Sequence, residues 1–159
     1  MAVASIGAWK ISIPDGWVAG AAPDKASYLE APDRTKGIYI YQLAALSPGI
    51  AEKEFAAQIQ RSTFKSYSEL DDSSWKVTTE RNGSFAEYHA STMDILDSGS
   101  SYCIRFVVMC GPNEGLRLAI HDYLCEDYDE ARSFFDGVER SIGRGAMPPN
   151  NSLERTRGG

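Results

Sequence analysis

Residues 8–14 alternate: Trp9, Ile11 and Ile13 fall on one side, Lys10 and Ser12 on the other. A period of two marks a half-buried strand, and the Pro-Asp-Gly that follows turns the chain. Residues 26–32 read as a short second strand. Residues 37–43 read as a third, rich in β-branched and aromatic positions. In it Ile38 and Ile40 share one face and Tyr39 and Tyr41 the other. The period changes after Ser47-Pro48, where Pro48 suits the first turn of a helix. Phe55, Ala56 and Ile59, with Ser62 or Thr63 beside them, form a narrow apolar stripe. That stripe predicts a helix over 50–67 that packs by one edge.

Strand patterns return at 74–80 and 84–95. Asn82-Gly83 lies between them, the strongest short hairpin signal. Residues 96–101 read as a loop, and two more strands, 102–110 and 116–124, flank Gly111-Pro112-Asn113-Glu114-Gly115. A reversal about Asn113 sets Cys110 against Leu116, Val108 against Leu118 and Phe106 against Ile120. Those even positions make an apolar face, and Cys103, Arg105, Arg117, His121 and Tyr123 go to the other. The clearest helix is 126–142, with Tyr128, Ala131, Phe134, Phe135, Val138 and Ile142 on one side. Asp127 and Glu130 have capping-box spacing at its start, and Gly143 and Gly145 end it. Gly137 costs that helix about 1 kcal/mol against alanine, which close packing on the sheet would justify. Residues 148–159 have no periodicity and almost no apolar content. The reading is one α+β domain over 1–145 and a disordered tail over 146–159, with an antiparallel sheet of about seven strands flanked by two main helices.

Charge and length narrow the function classes. The chain has 159 residues, a net charge of −6 and a pI of about 4.9. An acidic chain without a basic stripe is no general nucleic-acid binder, and without a Lys/Arg run it has no electrostatic hold on a membrane. No apolar window is long enough to span a bilayer. Residues 1–17 lack the basic and then apolar regions of a signal peptide. Three cysteines, an odd number, in such a chain predict reduced thiols and a cytoplasmic location.

Candidate chemistry concentrates in residues 103–125, which hold all three cysteines and His121. Cys103 and Cys110 point to opposite faces of their strand, so they cannot share a metal. A zinc site would have to recruit Cys103, His121 and Cys125, of which only His121 and Cys125 have the tight spacing zinc sites use. No C-x-x-C suggests a redox pair, and buried structural cysteines are the favoured reading. His89 and His121 read as half-exposed strand histidines. Arg105, placed opposite His121, would lower its pKa rather than make it a base. Asp71-Asp72 reads as a loop and the acidic run at 126–130 as a helix cap. No nucleophile elbow, phosphate loop or dinucleotide fingerprint occurs. No catalytic residue, metal or cofactor is predicted. The surface that stands out is aromatic and cationic: Tyr39 and Tyr41 with Arg105, Arg117, His121 and Tyr123, a composition enriched at interfaces.

The Ile-Pro-x-Gly-Trp entry (Ile13 to Trp17) and the amphipathic last helix ending in Ser141-Ile142 frame this order of elements. Over roughly 8–142 the chain resembles the PsbP-like superfamily, an α/β/α sandwich around an antiparallel sheet. The resemblance implies binding without catalysis, since relatives of that fold include photosystem accessory proteins, a Ran-binding transport factor and bacterial secretion adaptors. The tail Pro149-Asn150-Asn151-Ser152-Leu153-Glu154-Arg155-Thr156-Arg157 resembles the read-through end of bacterial integron gene-cassette proteins. The expectation is a non-catalytic accessory module binding a protein partner. The alternatives are an immunity protein for a cognate toxin, and a small-ligand binder or enzyme with a pocket between sheet and helix.

Overall fold

The computed structural model describes residues 1–20, 26–43, 49–70, 74–85, 87–111 and 114–144. Pro48, Asp71-Asp72, Asn113, Gly145 and the tail lie outside them.

The described residues divide into two compact units, Met1–Asp15 with 136–144, and Gly16–Phe135. In the first, β1 (Ala2–Ile6), β2 (Trp9–Ile13) and β10 (Gly143–Arg144) form a small sheet in the order β1-β2-β10. β1 escaped the sequence reading because its residues are mostly exposed and carry no alternation. The alternation of β2 is real: Trp9, Ile11 and Ile13 are buried. Ser141 fastens this unit, its Oγ accepting from the Ser12 N–H at 2.9 Å and donating to the Val138 carbonyl at 2.7 Å.

The second unit holds β3 (Val18–Gly20), β4 (Ser27–Glu30), β5 (Lys36–Leu43), α1 (Glu52–Ser68), β6 (Trp75–Phe85), β7 (Tyr88–Asp97), β8 (Tyr102–Cys110) and β9 (Gly115–Asp122). The last helix, α2 (Tyr128–Arg140), begins there. The seven strands form one antiparallel sheet in the order β3-β4-β5-β9-β8-β7-β6. α1 lies on one face. Its Gln60 amide donates to the carbonyls of Ser91 and Phe106, both at 3.2 Å, and Ala56 packs beside Val108 and Cys110. The first turns of α2 lie on the other face, where the Tyr128 hydroxyl donates to Asp94 at 2.7 Å and Phe135 sits under the Arg105 guanidinium. Asp127 caps α2 as its position predicts, its carboxylate accepting from the Asp129 N–H at 2.9 Å. The α+β class, the sheet and its two helices match the sequence reading. No helix among the described residues is long and apolar enough to cross a membrane.

Four details differ. The reversal expected at Asn82-Gly83 comes later: β6 runs straight through, with Asn82 opposite Ser91 and Gly83 opposite Ala90, and Phe85 pairs with Tyr88. The longer ladder pairs more backbone, and neither Asn82 nor Gly83 takes the positive φ that the turn would need. The β8–β9 reversal is one residue shorter than expected. The Gly111 N–H donates to the Glu114 carbonyl, and Cys110 opposes Gly115. A slip of one residue exchanges the faces of a whole strand. Ile104 therefore opposes His121, Phe106 opposes Ala119 and Val108 opposes Arg117. Thirdly, a Cβ on Gly137 would meet nothing within 4 Å, so close packing does not explain that glycine. Finally, Cys103 and Cys125 form a disulfide, with Cα atoms 5.8 Å apart, which corrects the reading of three reduced thiols. Cys110 is free and buried on the α1 side.

Candidate functional site

β5 and β9 pair from Lys36↔Asp122 to Leu43↔Gly115, so Tyr39 opposes Ala119 and Tyr41 opposes Arg117. Alternation carries Ile38 and Ile40 into the core on the α2 side. Tyr39 and Tyr41 then stand on the α1 side with Arg117 and His121. α1 packs mainly over β7 and β8, leaving the β5–β9 part of that face uncovered. A recess of about 320 Å³ remains, lined by Tyr39, Tyr41, Tyr67, Tyr102, Tyr123, Phe106, Ala119, Arg117 and His121.

Five of the six residues singled out from the sequence meet here: Tyr39, Tyr41, Arg117, His121 and Tyr123. Arg105 does not. Because of the one-residue register difference it points to the α2 side. There it is buried and bound to Asp94 through Nε–Oδ1 at 2.6 Å and Nη2–Oδ2 at 2.8 Å. This buried bidentate pair holds β7 to β8.

The walls are locked by ring contacts. Tyr39 stacks on Tyr28 with centroids 4.3 Å apart and meets the edge of His121 at 5.3 Å. His121 stacks on Tyr123 at 5.4 Å. The Tyr28 and Tyr123 hydroxyls share a hydrogen bond of 2.9 Å, and Tyr28 also donates to Glu30 at 3.1 Å. Tyr28 can lie flat because Gly37 stands beneath it; any Cβ there would collide with the ring. Tyr67, in the last turn of α1, leans on Phe106 at 5.6 Å. Arg117 lies over Tyr41 at 4.9 Å and near Phe106 at 5.9 Å, and its Nη2 donates to Thr63 Oγ1 at 3.1 Å. Its Nε–H is buried and has no acceptor among the described residues.

His121 is 5% exposed, not half-exposed as expected. Burial lowers its pKa from 6.5 to about 4. The imidazole is therefore neutral near pH 7, with Nδ1 and the Tyr102 hydroxyl 2.6 Å apart. The expected direction of that shift is right and the expected cause is wrong, because Arg105 is on the other face. Burial likewise holds the hydroxyls of Tyr67, Tyr102 and Tyr123 above the ordinary tyrosine value, so they remain uncharged donors. A general base works best with a pKa near the operating pH, and His121 is far below it. The Cys110 thiol is pushed up to about 11 by burial, which keeps it unreactive. Among the described residues no group of three His, Cys, Asp or Glu side chains could hold a metal ion.

Sequence reasoning missed Tyr28, Tyr67, Tyr102 and Phe106. Tyr28 was legible as a strand residue, but its pairing with Tyr39 needed the β4–β5 register. Tyr67 was legible only as the end of a helix.

No protein-family model and no curated protein sequence matches the chain. The fold is nevertheless that of a known group. The solution structure of cyanobacterial PsbP (CyanoP) from Synechocystis sp. PCC 6803 matches with a TM-score of 0.66 over 86% of each chain, at 10% sequence identity. At that identity the likeness is one of fold.

Proposed function

We propose that this PsbP-like chain is a non-catalytic binding protein whose site is the tyrosine-lined recess between β5, β9 and the last turn of α1. The observation that carries the reading is the recess itself. Its volume of about 320 Å³ is within the range of small-ligand pockets, and its walls are aromatic with a few convergent polar groups. His121 is neutral and its partner, the Tyr102 hydroxyl, is held uncharged by burial, so neither is activated for proton transfer or attack, which supports binding over catalysis.

A protein partner is the second reading, favoured by one further feature. A hollow of about 420 Å³ along α1, lined by Phe55, Ile59, Thr63 and others, shares Tyr67 and Arg117 with the recess. A groove with aromatic and arginine anchors suits a partner's side chains. The bacterial accessory role implied by the tail belongs to this reading. An immunity role rests on acidic charge alone, and a salt-insensitive complex would count against it.

Native mass spectrometry of the protein as isolated tests the two readings. A mass excess of one small organic molecule, lost in Tyr39→Ala, is the expected result. A bare polypeptide mass, with a protein captured by the wild type and released by Tyr39→Ala, would move the assignment to the second reading.

A further inference from the structure

Resting on that reading of the recess, we infer that its ligand is a single-ring aromatic carboxylate, the ring held among Tyr39, His121 and Tyr123 and the carboxylate paired with Arg117. The arginines of β8 and β9 make the argument. Arg105, on the α2 face, has its counter-ion inside the chain, in a bidentate pair with Asp94. Arg117, on the α1 face, has none among the described residues. Its one hydrogen bond goes to a neutral hydroxyl, and its Nε–H is buried without an acceptor. Tyr41 and Phe106 hold its guanidinium in place through their rings, so the cation is pre-positioned rather than mobile. A partly buried cation without an anion is an incomplete pair, and a carboxylate completes it.

The rest of the lining agrees. It contains phenols, an imidazole and the guanidinium, and no carboxylate. The nearby acid, Glu30, is bound to the Tyr28 hydroxyl and lies 3.9 Å from Arg34. Uncharged tyrosine hydroxyls and a neutral imidazole tolerate an anion, whereas tyrosinates would repel it. Inorganic phosphate would satisfy Arg117 but leave the ring walls unused, and a neutral aromatic would do the reverse. Only a group carrying both features uses the whole recess.

The test is calorimetric titration at pH 7 with 4-hydroxybenzoate, its uncharged isostere 4-hydroxybenzamide, and inorganic phosphate. Variants Arg117→Gln and Tyr39→Ala are titrated too, after thermal unfolding has verified that they fold. The acid should bind at least about tenfold tighter than the amide, and Arg117→Gln should erase that margin. Equal binding of acid and amide by the wild type overturns the carboxylate assignment, needs no variant, and leaves the recess standing. Acid binding that survives Tyr39→Ala, or no aromatic binding at all, overturns the recess reading and this inference with it. Phosphate binding as tight as that of the acid would reduce the site to an anion site on Arg117 and overturn the aromatic part.

Discussion

His121 shows at the scale of one residue how burial sets chemistry. It opposes Ile104 across the β8–β9 ladder, and ring contacts with Tyr39, Tyr102 and Tyr123 remove it from water. Its folded pKa of about 4 lies below the ordinary 6.5, so the unfolded chain binds the extra proton more readily. The stability it protects is complete above pH 6.5 and drains away as the pH falls toward 4, by up to about 3 kcal/mol. Urea unfolding at a series of pH values should show that slope, and His121→Phe should flatten it. An equal slope in both proteins would mean that other groups set the acid sensitivity. Asp122, its neighbour in sequence, faces the other way and accepts from the Leu124 N–H at 3.1 Å. Alternation along β9 separates the two residues.

At the scale of the element, the two helices contrast. The thin stripe of α1 is what the structure shows: Ala56, Gln60 and Thr63 are its buried positions, with Phe55, Ile59, Phe64 and Tyr67 half-buried beside them. Because that edge is narrow, α1 leaves β5 and β9 partly uncovered, and the recess exists. α2 is strongly amphipathic, and its one discordant residue is Gly137. With open space around the missing Cβ, Gly137→Ala should stabilise the protein by about 1 kcal/mol through helix propensity. A denaturation midpoint that falls instead would reveal a contact the open space does not suggest. The strands gave up their existence more readily than their register. β8 is buried along almost its whole length, on both faces, so nothing in its own pattern says which residues face α1. The face of Arg105 was misjudged for that reason, while Tyr39 and Tyr41 on the half-covered β5 were placed correctly.

For the whole molecule the disulfide weighs most. It joins Cys103 and Cys125 across a sequence separation of 22, closing the base of the β8–β9 hairpin. A link of that span contributes about 3 kcal/mol. Reductant, or Cys103→Ser, should lower the unfolding free energy by that order. Alkylation of the unfolded, unreduced chain should modify Cys110 alone, and all three cysteines after reduction. Unchanged stability under reductant would remove the bond from the account. The expectation of a cytoplasmic location rested partly on reduced thiols, and the disulfide takes that support away, since such bonds persist mainly in oxidising compartments.

The sequence by itself determined the α+β class, the positions of most strands and both helices, the inward side of β2 and the separation of isoleucines from tyrosines on β5. These follow from periods of two and 3.6, which the chain writes locally. Only the tertiary structure decided the register of β9, the partner of Cys103 and the company of Arg117. Each depends on which distant segment lies alongside, and a backbone reversal shorter by one residue was enough to send Arg105 to Asp94 and Arg117 to the recess.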